Sequence, residues 1–279
     1  MIRSELGLRV ISAIVLAVPV LALTWAGDLW FRALAALLAL LIYYEFAAIA
    51  ALRHRQLVGW ALGWGATALA AALLAWGAFF QAFGAVALAA AIALGIALVK
   101  RQAPWTATAI FYAGLFALAL AALRGSGAAG LIVLVFILAI VWATDILAYF
   151  CGRALGGPKL APAISPGKTW SGALCGALAG VIAGSAIALA LGISFTVTLP
   201  LVALILSIAS QIGDLFESWV KRRFGAKDSS RLIPGHGGVM DRVDGLVFAV
   251  FAAFILTMLM PSAEQGAGGG EFAARLLGQ

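Results

Sequence analysis

Apolar residues run along this 279-residue chain in long blocks separated by short polar breaks. The blocks fall at 10–27, 29–52, 57–79, 82–99, 105–123, 128–150, 172–195, 197–219 and 244–260. Each comes close to the roughly 20 residues that a helix needs to cross a hydrocarbon core of ~30 Å. None alternates with period two, so they predict helices rather than barrel strands. Helices also satisfy their own backbone polar groups, as a spanning segment must. The pattern therefore predicts an all-α integral membrane protein with about nine transmembrane helices. The first block carries Arg3 and Arg9 ahead of its apolar core, as a secretory signal does. A second block follows almost at once, so a retained first helix is expected.

Composition agrees with this class: 65% of residues are hydrophobic and 10% charged, against roughly 25% charged in soluble domains. The net charge of +7 would suit a nucleic-acid partner, but its distribution points elsewhere. With a cytoplasmic N-terminus, all but three of the 18 lysines and arginines fall on the cytoplasmic side. Only Arg32, Arg124 and Arg275 lie toward the other face. That is the positive-inside arrangement, with some attraction to anionic headgroups. The partner it implies is the lipid bilayer of the cell inner membrane, and no nucleic acid is expected. Cys151 and Cys175 lie near the cytoplasmic side without metal-ligand spacing, and two free thiols are expected.

Three regions follow: N-terminal helices over 1–125, a polar-ended membrane region over 126–260, and a tail at 261–279. Glu45, beside Tyr43 and Tyr44, is the exception in the first. An intramembrane acid is a functional hypothesis by default, but near a span end a structural role at the interface is the simpler reading. In the second region, loops 151–171 and 220–243 break the pattern of short turns. Gly172, Gly176, Gly180 and Gly184 recur every fourth residue and line one helix face. Such ridges let helix backbones approach closely, here most simply against a neighbour in the same subunit.

The chemistry concentrates where the charge does. Asp214, Glu217, Asp228, Asp241 and Asp244, five of eleven acidic residues, fall within 31 positions. Asp214, Glu217 and Lys221 share a helix face at i, i+3 and i+7. Asp241 and Asp244 open the next span, and the intervening loop returns the chain to the same membrane face. Three carboxylates at the ends of two consecutive helices can converge on a hard cation such as Mg²⁺. Between them lie Lys221, Arg222, Arg223, Lys227 and Arg231, donors for phosphate, and Gly235, Gly237 and Gly238, whose backbone admits a close anion. Together they suggest metal-assisted phosphoryl or nucleotidyl transfer. The plainer alternatives stand beside this. Arg222 and Arg223 serve as a topology signal, His236 as a loop hydrogen-bonder, and the aspartates as salt-bridge partners of Lys221 and Arg242. A lone histidine makes zinc improbable. "GKT" at 167–169 is no P-loop, because position 162 is proline where a glycine is required.

Residues 218–244, "SWVKRRFGAKDSSRLIPGHGGVMDRVD", resemble the signature of the phosphatidate cytidylyltransferases, or CDP-diacylglycerol synthases. Ser218, Lys221, Arg222, Lys227, Asp228, Pro234, His236, Gly237, Gly238, Asp241, Arg242 and Asp244 carry the match. A second stretch, 145–172, resembles the family's other motif in Asp145, Tyr149, Gly152, Arg153, Lys159, Ser165, Pro166, Lys168 and Thr169. The resemblance is close over about 145–245, and the N-terminal half matches only as a multi-span segment. After "KTW" the family usually has Glu, where this chain has Ser171.

The resemblance implies that CTP and phosphatidate give CDP-diacylglycerol and pyrophosphate at the cytoplasmic membrane face. It implies Mg²⁺ on Asp214, Asp241 and Asp244, with room for a second cation, and Lys227 and Asp228 among the catalytic group. Lys221, Arg222, His236, Gly237, Gly238 and Arg242 would bind phosphates of CTP or lipid, as would Ser165, Lys168 and Thr169. It also suggests a homodimer. Two rivals fit less well. A transporter relaying ions through Asp145, Asp214 and Glu217 would call for internal repeats, which the sequence lacks. A related lipid-nucleotidyl or polyprenol kinase enzyme acting on another lipid is separated from the phosphatidate reaction only by a substrate panel.

Overall fold

The computed structural model describes residues 2–259 and Leu276, with side chains from Ile14 onward. The side chains of Arg3 and Arg9 and the expected tail at 261–279, Leu276 apart, lie outside the described residues. Ten helices and one short hairpin make up the described chain: α1 (Ile2–Ala26), α2 (Asp28–Ile49), α3 (Leu52–Arg55), α4 (Leu57–Trp76), α5 (Phe79–Val99), α6 (Trp105–Arg124), α7 (Ala128–Leu155), β1 (Lys159–Ala161), β2 (Ser165–Thr169), α8 (Trp170–Ala190), α9 (Thr198–Arg223) and α10 (Met240–Leu259). Among the described residues eight helices are long and apolar enough to cross a membrane, α2 and α4 to α10. The remaining expected span, 10–27, is helical within α1; its described apolar part, Ile14–Ala26, is shorter than a crossing requires.

Two expected loops are shorter than hydropathy marks them. α7 continues to Leu155, and the connection beyond it folds into the antiparallel β1–β2 hairpin, pairing Lys159 with Thr169 and Ala161 with Ser165. α9 continues to Arg223, so the second loop begins at Phe224 and ends where α10 starts. Apolar content ends before the helices do, because helical hydrogen bonding does not depend on it. The Lys221, Arg222 and Arg223 cluster in the last turn of α9 also favours the helix C-terminus.

The chain forms two compact units. The first holds the chain to Ala121 together with Val220–Val243, and the second Ala122–Trp219 together with the chain from Asp244. In the first, α2 packs on α4 and α4 on α5. Gly63 lies directly under the ring of Tyr43, whose hydroxyl donates to the Trp60 carbonyl at 3.0 Å. Large apolar side chains such as Leu69, Trp76, Phe80, Leu88 and Leu98 remain exposed, as suits helices solvated by lipid rather than water.

In the second unit, α7 and α8 lie backbone to backbone along the glycine ridge, the packing expected of it within one subunit. A Cβ at Gly172 would come 2.6 Å from the Ala148 carbonyl oxygen, and one at Gly176 would come 2.7 Å from that of Thr144. At Gly180 it would meet Thr144 Oγ1 at 2.5 Å and Ser207 Oγ at 2.9 Å, two buried hydroxyls hydrogen-bonded to each other at 2.6 Å. Gly176→Ala is therefore expected to lower thermal stability in detergent by about 1–3 kcal/mol, the usual cost of overpacking. Gly95→Ala, where nothing lies within 4 Å of the new Cβ, should leave it unchanged or raise it slightly. Equal melting temperatures for the two variants would contradict the packing argument.

Candidate active site

In the first unit, the polar loop after α9 is organised around two carboxylates of the protein itself. Asp241, at the start of α10, accepts from Lys221 Nζ at 2.7 Å through Oδ1. Its Oδ2 accepts from Ser229 N at 2.9 Å, Ser229 Oγ at 2.8 Å and Gly238 N at 2.9 Å. Glu45, from the last turns of α2, accepts from Ser230 Oγ at 2.6 Å and Val239 N at 2.8 Å through Oε1. Its Oε2 takes Met240 N at 2.6 Å and Ser229 Oγ at 3.1 Å. The single O–H proton of Ser229 serves one of the two carboxylates at a time. Between these anchors the chain turns tightly: Ile233 N donates to Gly237 O at 2.8 Å and His236 N to Ile233 O at 2.9 Å. Gly235 and Gly237 take φ of 76° and 83°, which glycine adopts without steric cost.

The glycine turn does approach an anion closely, and here that anion is Asp241. A Cβ on Gly237 would lie 2.7 Å from Asp241 Oδ2, and one on Gly238 would collide with Ser229 Oγ and Glu45 Oε1. The start of the loop is held by Phe224, whose ring packs edge-on against Trp105 at 4.9 Å under the Arg55 guanidinium. Arg222, Lys227, Asp228 and Arg242 are exposed, and His236 is half-buried.

In the second unit, a cavity of about 570 Å³ opens beside the hairpin, lined by Asp145, Arg153, Ser165, Lys168, Thr169 and Asp214 among others. Lys168 Nζ pairs with Asp214 Oδ2, and Ser218 Oγ donates to Asp214 Oδ1 at 3.4 Å. Asp145 lies within electrostatic reach of Asp244, Asp214 and Lys168. Asp244 Oδ1 accepts from Gly245 N at 2.9 Å. The hairpin delivers Ser165 and Lys168 to the cavity because Thr169, the N-cap of α8, fixes where the strand ends. Its Oγ1 accepts from Gly172 N at 3.1 Å and it is buried. Ser171, the departure from the family pattern, donates to the Gly156 carbonyl and bonds Thr169 Oγ1 at 3.0 Å. It thus ties the hairpin base to the end of α7. Arg153 donates to Tyr149 Oη at 2.6 Å and lies over that ring.

The geometry sorts the expected residues. Lys221 meets Asp241, as the salt-bridge alternative anticipated, whereas Asp214 meets Lys168 instead. Ser165, Lys168 and Thr169 gather at one cavity. Asp214 and Asp244 belong to the second unit and Asp241 to the first. Glu45, Ser229 and Ser230 at the loop and Gln211 at the cavity are site residues that sequence reasoning misses; only Glu45, as an acid in an apolar span, carries a signal. Cys151 and Cys175 are both free. Among the described residues no three His, Cys, Asp or Glu side chains are grouped to hold a metal on protein ligands alone. Mg²⁺ does not require such a cage. It keeps waters and takes one or two carboxylates plus substrate phosphates, and the oxygen-only set of Asp214 and Asp244 fits that demand.

Among the described residues, eight helices long and apolar enough to cross a membrane, with a polar cavity and a carboxylate-pinned basic loop at helix ends, define the class as a multi-pass membrane protein. A sequence model of the cytidylyltransferase family matches residues 7–260, and the chain belongs to that family of nucleotidyltransferases. It is 47% identical over 268 residues to the phosphatidate cytidylyltransferase of Brucella suis, covering 93% of this chain and 98% of the relative. To the phosphatidate cytidylyltransferase of Brucella abortus it is 48% identical over 255 residues, 90% of this chain and 93% of the relative. The Pseudomonas aeruginosa enzyme of the same name is 58% identical over 131 residues, 45% of this chain and 47% of the relative.

Proposed function

We propose that the chain transfers the cytidylyl group of CTP to phosphatidate, giving CDP-diacylglycerol and pyrophosphate, at the cytoplasmic face of the inner membrane. The relatives' name supports both substrates, since the similarity to the Brucella proteins runs nearly end to end. The observation that carries the reading is the cavity lined by Lys168 and Asp214, a charged pocket among apolar helices. The choice of face rests on the lysine and arginine distribution.

A phosphatidate oxygen attacks the α-phosphorus of CTP in line. The new P–O bond forms as the bond to the α,β-bridging oxygen breaks, and pyrophosphate leaves with that electron pair. The nucleophile is already anionic, so no strong general base and no covalent enzyme intermediate are required. Lys168 offsets phosphate charge and Ser165 offers a hydroxyl to a phosphate oxygen, both preorganised by the hairpin. Arg222, Lys227 and Arg242, exposed and basic, attract a soluble triphosphate. The placing of Lys227 and Asp228 with the reacting group, and of His236 with a phosphate, rests on the resemblance alone. Asp214 and Asp244 would hold Mg²⁺, which when bound supplies neutralisation of the transferring phosphoryl group. Asp241 takes a different part: its side chain is only 7% exposed, with both oxygens filled by Lys221, Ser229 and Gly238, whereas that of Asp214 opens on a cavity. With Lys221 it holds the loop, and the Gly237 and Gly238 backbone closes over it.

Purified protein in detergent micelles with short-chain phosphatidate, CTP and Mg²⁺ is expected to form CDP-diacylglycerol and pyrophosphate in equal amounts, and to stop when EDTA is added. Folded protein that forms neither product would refute the reading, and product formation undiminished by EDTA would refute the metal requirement.

A further inference from the structure

Glu45 is fully buried at the end of α2, yet four donors converge on it. Two are the backbone N–H groups of Val239 and Met240, at the start of α10. Those amides have no partners within their own helix, and the helix dipole there favours negative charge. The other two are the hydroxyls of Ser229 and Ser230, about ten residues earlier in the polar loop. One carboxylate therefore clasps both ends of the segment 229–240 and closes it into a ring. Ser229 also serves Asp241 through both its N–H and its hydroxyl. Gly238 packs so closely on Ser229 and Glu45 that no side chain fits. An isolated buried carboxylate is costly, so this one is retained where two amides, the Ser230 hydroxyl and, in turn with Asp241, the Ser229 hydroxyl compensate it.

We infer that Glu45 is a positioning residue for the reaction: it sets the conformation of the 229–240 loop and, through Ser229, the Lys221–Asp241 pair. The inference rests on the nucleotidyl-transfer reading given above. Glutamine cannot replace it. Whichever way its amide turns, Nε2 faces the N–H of Val239 or Met240, and a backbone N–H, unlike a serine hydroxyl, cannot rotate to accept.

The test compares wild type with Glu45→Gln in the same micelle assay, over a range of CTP concentrations. Hydrogen exchange is read on the peptide spanning 229–240. Misplacement of about 1 Å costs on the order of 100-fold, so kcat per folded molecule should fall about 100-fold while KM for CTP changes far less. Exchange at Val239 and Met240 should quicken, with helical content and detergent elution as in wild type. Ser230→Ala, which removes one donor and no charge, should move kcat and exchange the same way by less. A purely architectural Glu45 would lower the folded yield but leave kcat per folded molecule intact; that result, or unchanged exchange, overturns the inference. If Glu45→Gln does not fold, Ser230→Ala decides, and wild-type kcat and exchange in that variant overturn it. A wild type that makes no CDP-diacylglycerol refutes the proposed reaction and the positioning role with it. In that case exchange in Glu45→Gln still decides separately whether Glu45 anchors the loop.

Discussion

Asp241→Asn is expected to reduce turnover by ~10²–10³-fold or more in protein that still folds. Asparagine keeps one carbonyl oxygen. Turned toward the loop, that oxygen preserves the bonds from Ser229 and Gly238 but sets an amide N–H₂ against the Lys221 ammonium. Turned toward Lys221, it sets the amide against two backbone N–H groups. The pair is well buried, with side-chain exposures of 11% for Lys221 and 7% for Asp241. Breaking such a pair by removing one charge costs about 3–5 kcal/mol, and less here because asparagine keeps part of the network. The relaxed state is one in which the basic loop is no longer held, which is why the loss should appear in turnover before it appears as unfolding. The double variant Lys221→Met/Asp241→Asn, set against each single, isolates the coupling. Near-normal turnover in correctly folded Asp241→Asn would eliminate the pair from the mechanism.

Asp214→Asn should be at least as damaging, at ~10³-fold in kcat, for a different reason. Asp214 and Lys168 are paired in a cavity that leaves each side chain 28% exposed, so the pair itself contributes little to stability. In the proposed reaction its value lies in presenting one cation and one anion to a phosphate and its counter-ion. If Asp214 merely neutralised Lys168, Lys168→Met/Asp214→Asn would recover much of the activity lost in either single variant. If each acts on substrate, the double variant should be as impaired as the worse single, the non-additivity of groups that work as a unit. Substantial recovery in the double variant would remove both residues from the proposed chemistry.

Several parts of this organisation are legible in the residues alone. Hydropathy locates the spanning helices within a few residues because burial in lipid is a local property of each segment. The glycine ridge on α8 reads correctly as a close-packed face, since a spacing of four places small residues on one side of any helix. The polar stretches 145–172 and 218–244 identify the family through side chains at fixed spacing. The β1–β2 hairpin does not read as strands, because "SPGKT" contains the proline and glycine that normally argue against one. The pairing there follows from the need to join the ends of α7 and α8, two helices brought together further along their length.

Residue patterns alone establish a helical membrane protein with its polar residues at helix ends, and the family to which it belongs. Which charge answers which emerges with the packed helices. Lys168 pairs with Asp214, Lys221 with Asp241, and Glu45 reaches partners 184 to 195 residues away in the chain. Periodicity and spacing act over one or two helical turns, whereas a buried charge selects its partner from whatever packing brings within about 3 Å. That choice belongs to the assembled helices, and no run of neighbouring residues records it.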